Sequence, residues 1–169
     1  MPAPTLLRVK GDLLSQPVDA IVNPWNQNLI PHWLLVTQGL SGAIKRRTGR
    51  APFDALRWGG RMRLGEARLT DAPNLPFRGL IHVAGINHLW RSSEFSVRES
   101  ARNALRLAEQ EGFESVAFPA IGAGSSLTIG HREFPLWGVT TQGSLAFIED
   151  EARKSSFPGR VILVEYAKS

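Results

Sequence analysis

The feature that most restricts what this chain can fold into is an alternation of short apolar runs with longer amphipathic ones. The runs Thr5–Val9, Asp19–Val22, Glu66–Thr70, Leu80–Val83, Val116–Pro119 and Val161–Tyr166 are β-branched and apolar, and Gly, Pro and Asn bound them. Each reads as a strand. The segment Ser96–Gly112 has a different period. It places Val97, Ala101, Ala104, Leu105 and Ala108 on one helical face, with arginines and glutamates elsewhere. Ser96 and Glu99 read as a capping box, and Gly112 is placed to end the helix. A second helix is expected over Ser41–Arg47 and a third over about Val139–Lys154, its interior weakened by Gly143. Strands alternating with helices imply an α/β sheet covered on both faces. Ligands of such sheets sit at the carboxyl ends of the strands, so the site is sought in the loops after Val22, Pro119 and Tyr166.

The remaining composition narrows the chemistry. At 169 residues, with no internal repeat, low-complexity tract or long linker, residues 1–169 read as a single domain. There is no cysteine, which excludes disulfides, thiolate zinc sites and cysteine nucleophiles and fits a reducing cytoplasm. The opening residues Met1–Thr5 lack a signal pattern, and no apolar run approaches the roughly 18 residues of a membrane span. A cytoplasmic protein with no membrane partner is expected. His82, His88 and His131 show no metal-ligand spacing, so no metal and no cofactor are expected, and His82 reads as a satisfied core residue.

Charge is uneven. Twenty Lys and Arg against fifteen Asp and Glu give a formal +5. Lys45, Arg46, Arg47, Arg50, Arg57, Arg61, Arg63 and Arg68 lie in one stretch, opposed only by Asp54 and Glu66. Such a field attracts a polyanion, and an ordinary solvated basic face fits equally well.

Four segments carry candidate chemistry, each with a plainer reading. In Ile21-Val22-Asn23-Pro24-Trp25-Asn26, two asparagines suit the vicinal hydroxyls of a sugar, or simply form a turn at a proline. In Ala117–Ser125, glycines allow backbone amides to converge on phosphate oxygens, or form an ordinary turn; without Gly-Lys-Ser/Thr this is no P-loop. Gly39-Leu40-Ser41-Gly42-Ala43-Ile44 reads as a helix start, able to bind an anion or merely to pack. In Gly11-Asp12-Leu13-Leu14, the carboxylate is placed to accept from a base amine or to cap a helix.

The order and spacing of these segments resemble the macrodomain, an ADP-ribose-binding fold. Gly11-Asp12-Leu13-Leu14, Val18–Asn26, Gly39–Ile44, Leu64–Ala67, Ile81–Gly85, Glu114–Gly124 and Leu163–Tyr166 follow the family order. The resemblance implies a three-layer α/β/α sandwich around a mixed, largely parallel sheet. It also implies roles for residues. Asp12 corresponds to the adenine-selecting acid, with the backbone near Leu13 beside it. Asn26 corresponds to the asparagine on the distal ribose. Gly122, Ala123, Gly124 and Ser125 correspond to the loop around the diphosphate, faced by the helix start at Ser41, Gly42 and Ala43. Tyr166 corresponds to the aromatic that stacks on adenine.

One stretch departs from the family. Related hydrolases carry a glycine-rich loop ending in an aspartate linked to catalysis, whereas here Gln27–Gln38 leads into Gly39-Leu40-Ser41-Gly42, with Ser41 in the aspartate's place. A serine alone is no general base at neutral pH. The expected activity is hydrolysis of an ADP-ribosyl linkage on protein or nucleic acid, at the anomeric carbon of the distal ribose. The substrate's own phosphate then helps position the water, which Ser41 and Gln38 hold while Asn26 fixes the ribose. The alternatives are a non-catalytic ADP-ribose reader and a basic nucleic-acid-binding module. His32 is the histidine nearest the site, and Trp33, Leu34 and Leu35 form either a lid or core packing. Expected partners are ADP-ribose or ADP-ribosylated protein, and ADP-ribosylated DNA or RNA through Lys45–Arg68, where Trp58 adds stacking on a base.

Overall fold

The computed structural model describes residues 3–27, 39–123, 126–129, 132–135 and 138–167, with backbone alone for 126–129 and 132–135. All six expected strands form, close to their expected bounds: β1 (Thr5–Gly11), β2 (Ala20–Asn26), β3 (Ala67–Thr70), β4 (Gly79–Ile86), β5 (Ser115–Pro119) and β8 (Arg160–Tyr166). They make one sheet in the order β1-β8-β5-β2-β4-β3. Every neighbouring pair is parallel except β3 with β4, so the sheet is mixed and largely parallel.

The period of two along these strands decides which layer each residue joins. Val22, Ile81, Val83, Val116, Phe118, Val161 and Leu163 pack with helices α3 (Glu94–Gln110) and α4 (Thr141–Lys154). The residues between them, Ile21, Leu80, Ala117, Ile162 and Val164, pack on the other face with Ile44 and Phe53. Those two side chains come from α1 (Gly39–Thr48) and α2 (Ala51–Trp58). The result is the expected three-layer sandwich.

The helix ends differ from expectation in instructive ways. α3 starts two residues early because Ser93, not Ser96, is the cap. The Ser93 hydroxyl accepts from the Ser96 amide at 3.1 Å, and the Ser96 hydroxyl accepts from the Ser93 amide at 2.9 Å. Glu99 instead holds Arg102 on the helix surface. The predicted buried face of Val97, Ala101, Ala104, Leu105 and Ala108 is the observed one. Gly143 lies in the first turn of α4, where its amide donates to the Thr140 cap at 2.9 Å. It therefore serves the start of that helix and does not interrupt it. The sequence signals missed α2 and a two-stranded ribbon of β6 (Ser126–Ile129) and β7 (Arg132–Pro135). Among the described residues no helix is long and apolar enough to cross a membrane.

Candidate functional site

Parallel pairing aligns the carboxyl ends of β1, β8, β5, β2 and β4 along one edge. Asp12, Asn26, Gly122, Ala123 and Tyr166 lie there because they end, or closely follow, β1, β2, β5 and β8. Gly11 stands opposite Tyr166 in the register of β1 and β8, so Asp12 lies one residue beyond the position paired with Tyr166, which is 72% exposed. Asp12 does cap a helix: its Oδ1 accepts from the Leu14 amide at 2.9 Å, opening a short 3₁₀ turn over Leu13–Ser15. Asp12 is nonetheless exposed, whereas Leu13, expected to offer its backbone beside it, is only 3% exposed. Asn26 closes β2, at a register shift beside Trp25.

The two asparagines of the β2 motif part company. Asn23 is wholly buried, and its amide nitrogen lies 3.0 Å from Nδ1 of the equally buried His82. The Ser41 hydroxyl donates to Asn23 Oδ1 at 2.7 Å and approaches the Pro24 carbonyl at 3.2 Å. His82 Nε2 lies 2.8 Å from the Thr70 hydroxyl, which donates to the Asp71 carbonyl. One direction satisfies every group: Ser41 donates to Asn23, Asn23 to His82, His82 to Thr70, and Thr70 to Asp71. Burial pushes the His82 pKa down to about 3, so the ring is neutral and a satisfied core residue. The chain fixes α1 against the end of β2. It also commits the Ser41 proton, so Ser41 faces its surroundings as an acceptor.

α1 begins at Gly39, earlier than expected, so its unpaired first-turn amides start there, with Ser41, Gly42 and Ala43 following in the same helix. Opposite them, the loop after β5 is set by two serines. The Ser144 hydroxyl of α4 donates to the Ile121 carbonyl at 2.7 Å, and the Ser92 hydroxyl donates to the Gly122 carbonyl at 2.7 Å. Ser92 also accepts from the Val139 amide at 3.1 Å. A trans peptide points its N–H opposite to its C=O, so pinning these carbonyls turns the Gly122 and Ala123 amides away from α3 and α4. Gly122 adopts φ 72°, and a Cβ there, like one at Gly138, would collide with Ser92. The arrangement is a pair of outward amides at a left-handed glycine, suited to an anion. Sequence reasoning missed Asn23, Ser92 and Ser144 as organisers, because small polar residues carry no periodic signal.

Gln38, Gly124, Ser125, His32, Trp33, Leu34 and Leu35 lie outside the described residues. Among those described, no three His, Asp or Glu side chains cluster to hold a metal. A separate groove lies at the opposite, amino edge of the sheet, among Ser15, Asp19, Glu114, Ser115 and Arg160. Its groups serve the fold: Asp19 accepts from the Glu114 and Ser115 amides, and Arg160 donates to the Pro17 carbonyl. We place the site at the carboxyl edge, where backbone amides and exposed side chains converge.

The basic stretch divides. Arg68 is internal to the fold, paired with Glu66 and bound to the Leu56, Gly60 and Arg61 carbonyls at 3.4, 2.7 and 3.2 Å. Lys45 lies over the Phe53 ring. Arg46, Arg47, Arg50, Arg57, Arg61 and Arg63 are exposed.

Comparison with known proteins agrees with this geometry. The Macro domain family model matches residues 22–128. An O-acetyl-ADP-ribose deacetylase of Salmonella typhimurium is 37% identical over 124 residues, covering 69% of this chain and 65% of its own length. The chain thus spans less than two thirds of that relative. A macro domain-containing protein of Xanthomonas axonopodis pv. citri is 36% identical over 167 residues, covering 93% of this chain and 86% of its own. The Trypanosoma brucei macrodomain, solved in complex with ADP, superposes with a TM-score of 0.75 at 22% identity, covering 95% of this chain and 63% of its own. With the family model matching well over half of its length, this chain belongs to the macrodomain family.

Proposed function

We propose that this macrodomain binds ADP-ribose across the carboxyl edge and hydrolyses a derivative of it at the distal ribose. The observation that carries the reading is the pair of outward amides at Gly122 and Ala123, held by Ser92 and Ser144. They offer a diphosphate two donors without a cationic side chain, opposite the first-turn amides of α1 around Ser41 and Gly42. Tyr166 and Asp12, one register position apart at one end, supply a stacking face and a base-edge acceptor for adenine. Asn26 stands at the other end for the distal ribose. Similarity to deacetylases of O-acetyl-ADP-ribose supports hydrolysis of a bond next to that sugar.

The Ser41 hydroxyl donates its hydrogen bond to Asn23, so its lone pairs accept a hydrogen bond from a water beside the ribose. In our reading the bond between the ribose anomeric carbon and the carrier breaks, and the water oxygen bonds to that carbon. The water proton passes to a phosphate oxygen of the substrate and on to the departing carrier. The transition state resembles an oxocarbenium ion, and positioning supplies most of what the chain contributes. A reader without catalysis is the second reading, favoured because Ser41 is a neutral group already tied into the fold.

The deciding experiment measures release of ADP-ribose from a carboxylate-linked peptide and a base-linked oligonucleotide, and of acetate from O-acetyl-ADP-ribose. Release lost in Asn26→Ala and reduced in Ser41→Ala establishes the hydrolase and its linkage. Absence of release with ADP-ribose binding intact makes the protein a reader. Absence of binding overturns both.

A further inference from the structure

The outer surfaces of the two helical layers treat their arginines differently. On α3 and α4, Arg98, Arg102 and Arg153 are each held by carboxylates, and only the exposed Arg106, which donates to Asn103 at 3.4 Å, has no ion pair among the described residues. On the α1–α2 side, Arg46, Arg47, Arg50, Arg57 and Arg61 are exposed with no ion pair among the described residues. The acids of that side are withdrawn: Asp54 is half-buried, and Glu66 binds the Arg68 side chain and the Arg63 amide.

The geometry of α2 adds to the charge. Pro52, Phe53 and Leu56 face the core, while Ala51, Ala55 and Trp58 lie exposed at i, i+4 and i+7. The outward stripe is therefore two alanines ending in an indole that is 88% exposed. Arg50 and Arg57 border it, over about 12 Å at 1.5 Å per residue. Small side chains permit close approach of a backbone, and an exposed indole between arginines offers a base a stacking face. Trp58 is not a stray exposed residue on a loose end. Arg68 staples the three carbonyls around it, and Leu56 packs with Met62, Ala84 and Trp25.

That end of α2 lies beside the ligand edge. Gln27, which follows Asn26, donates to the Met62 carbonyl at 3.3 Å. The other end lies at the amino edge, where Asn74 before β4 donates to the Arg47 carbonyl. The unpaired cations thus form a path leading away from Asn26, along α2 and back to the end of α1.

We propose that this path is the docking surface for a single-stranded nucleic acid bearing the ADP-ribosyl group, an inference that rests on the function proposed above. Trp58 stacks on a base near the modified one. Arg57 and Arg61 take the adjacent phosphates, and Arg50, Arg47 and Arg46 take the next ones. Arg68 and Lys45 take no part, since the fold uses them.

The test is fluorescence anisotropy of a short labelled oligothymidylate over a salt series, with binding of free ADP-ribose measured in parallel. Trp58→Ala is expected to weaken oligonucleotide binding about tenfold. Arg57→Ala/Arg61→Ala should lower the log–log salt slope by about 1.4, at roughly 0.7 per lost phosphate contact. Both variants should bind ADP-ribose as the parent does, and Arg106→Ala on α3 should change neither. Parent-like oligonucleotide binding in the two α2 variants overturns the proposal. So does an equal loss in the α3 control, which would reduce the effect to net charge. Equal affinity for a polyglutamate peptide through the same residues also overturns it, in favour of an acidic protein. Oligonucleotide binding through this face in a parent that ignores ADP-ribose would sustain the surface and overturn the function proposed for the carboxyl edge.

Discussion

The two helical layers of this macrodomain are built on opposite plans. The α3–α4 layer is apolar inside and ion-paired outside: Ala101, Ala104, Leu105 and Ile148 cover the sheet, while Arg98 bridges Glu94, Asp150 and Glu151 on the surface. The α1–α2 layer buries a neutral polar chain through Asn23 and His82 and leaves Arg46, Arg47, Arg50, Arg57 and Arg61 exposed, without an ion pair among the described residues. A layer whose charges are matched serves the fold. A layer with satisfied polar groups inside and exposed arginines outside is the one to which our proposals assign one end of the ligand site and the docking surface.

Acid should separate the layers most sharply. The folded-state pKa of His82 is lowered from 6.5 to about 3, so the unfolded chain binds the extra proton between those values. Stability contributed by the neutral ring is complete above 6.5 and declines as pH falls toward 3, by about 1.4 kcal/mol per unit. Urea unfolding at pH 7 and 5.5 should therefore differ by about 1 kcal/mol, above the range in which the carboxylates titrate. A flat profile in that window would show that the buried chain tolerates charge. The α3–α4 carboxylates respond later. Burial pulls the Glu151 carboxyl up, but hydrogen bonds from Arg98 and Lys154 and the field of Arg102 hold it below 4.5. Glu149 is likewise lowered, first by Arg153 and then by Arg8. Their contribution is present above the ordinary carboxylate range and is lost as pH falls through the lowered values.

Removing Glu151 tests the matched surface directly. It is 5% exposed and holds Arg98 at 3.0 Å and Arg102 at 3.1 Å. Glu151→Ala should cost about 2 kcal/mol, less than a fully buried pair because both arginines keep other partners and some water. The measure is the urea midpoint, with ADP-ribose affinity unchanged.

Ser144→Ala should do the reverse. Leaving the buried Ile121 carbonyl unpaired costs about 1 kcal/mol of stability but releases the Gly122 amide from its fixed direction. ADP affinity, measured by calorimetry, should fall about tenfold while adenosine affinity holds. An equal loss for both ligands would mean general loosening and not control of the diphosphate amides. The smallest effect is expected on the unmatched surface: Arg46→Ala and Arg57→Ala should leave the unfolding free energy from urea titration within about 0.5 kcal/mol of the parent. A clear loss there would show the arginines to be structural after all.

The placement of several candidate-site residues was legible beforehand because these motif residues sit at the ends of strands that local pattern reveals. Asp12, Asn26, Gly122 and Tyr166 all reach one edge once the strands are parallel. The plainer reading of Asp12 held, since it is a cap, whereas Asn23 forms no turn but ties β2 to His82 and Ser41. The short helix α2, with three buried residues, and the brief ribbon β6–β7 are too small to establish a period.

What the sequence by itself determined is what depends on neighbours along the chain: the strands, the buried face of α3, and the order of motifs that the carboxyl edge collects. Tertiary structure decided which way those motifs face. Ser144 meets Ile121 across 23 residues, Ser92 meets Gly122 across 30, and Asn23 meets His82 across 59. It also decided which arginines are spent on the fold, pairing Arg98 with Asp150 across 52 residues while leaving Arg57 exposed. Hydrogen bonds and ion pairs are directional and short, so their partners exist only once packing brings distant segments within about 3 Å. Hydrophobic period needs no such partner to be read.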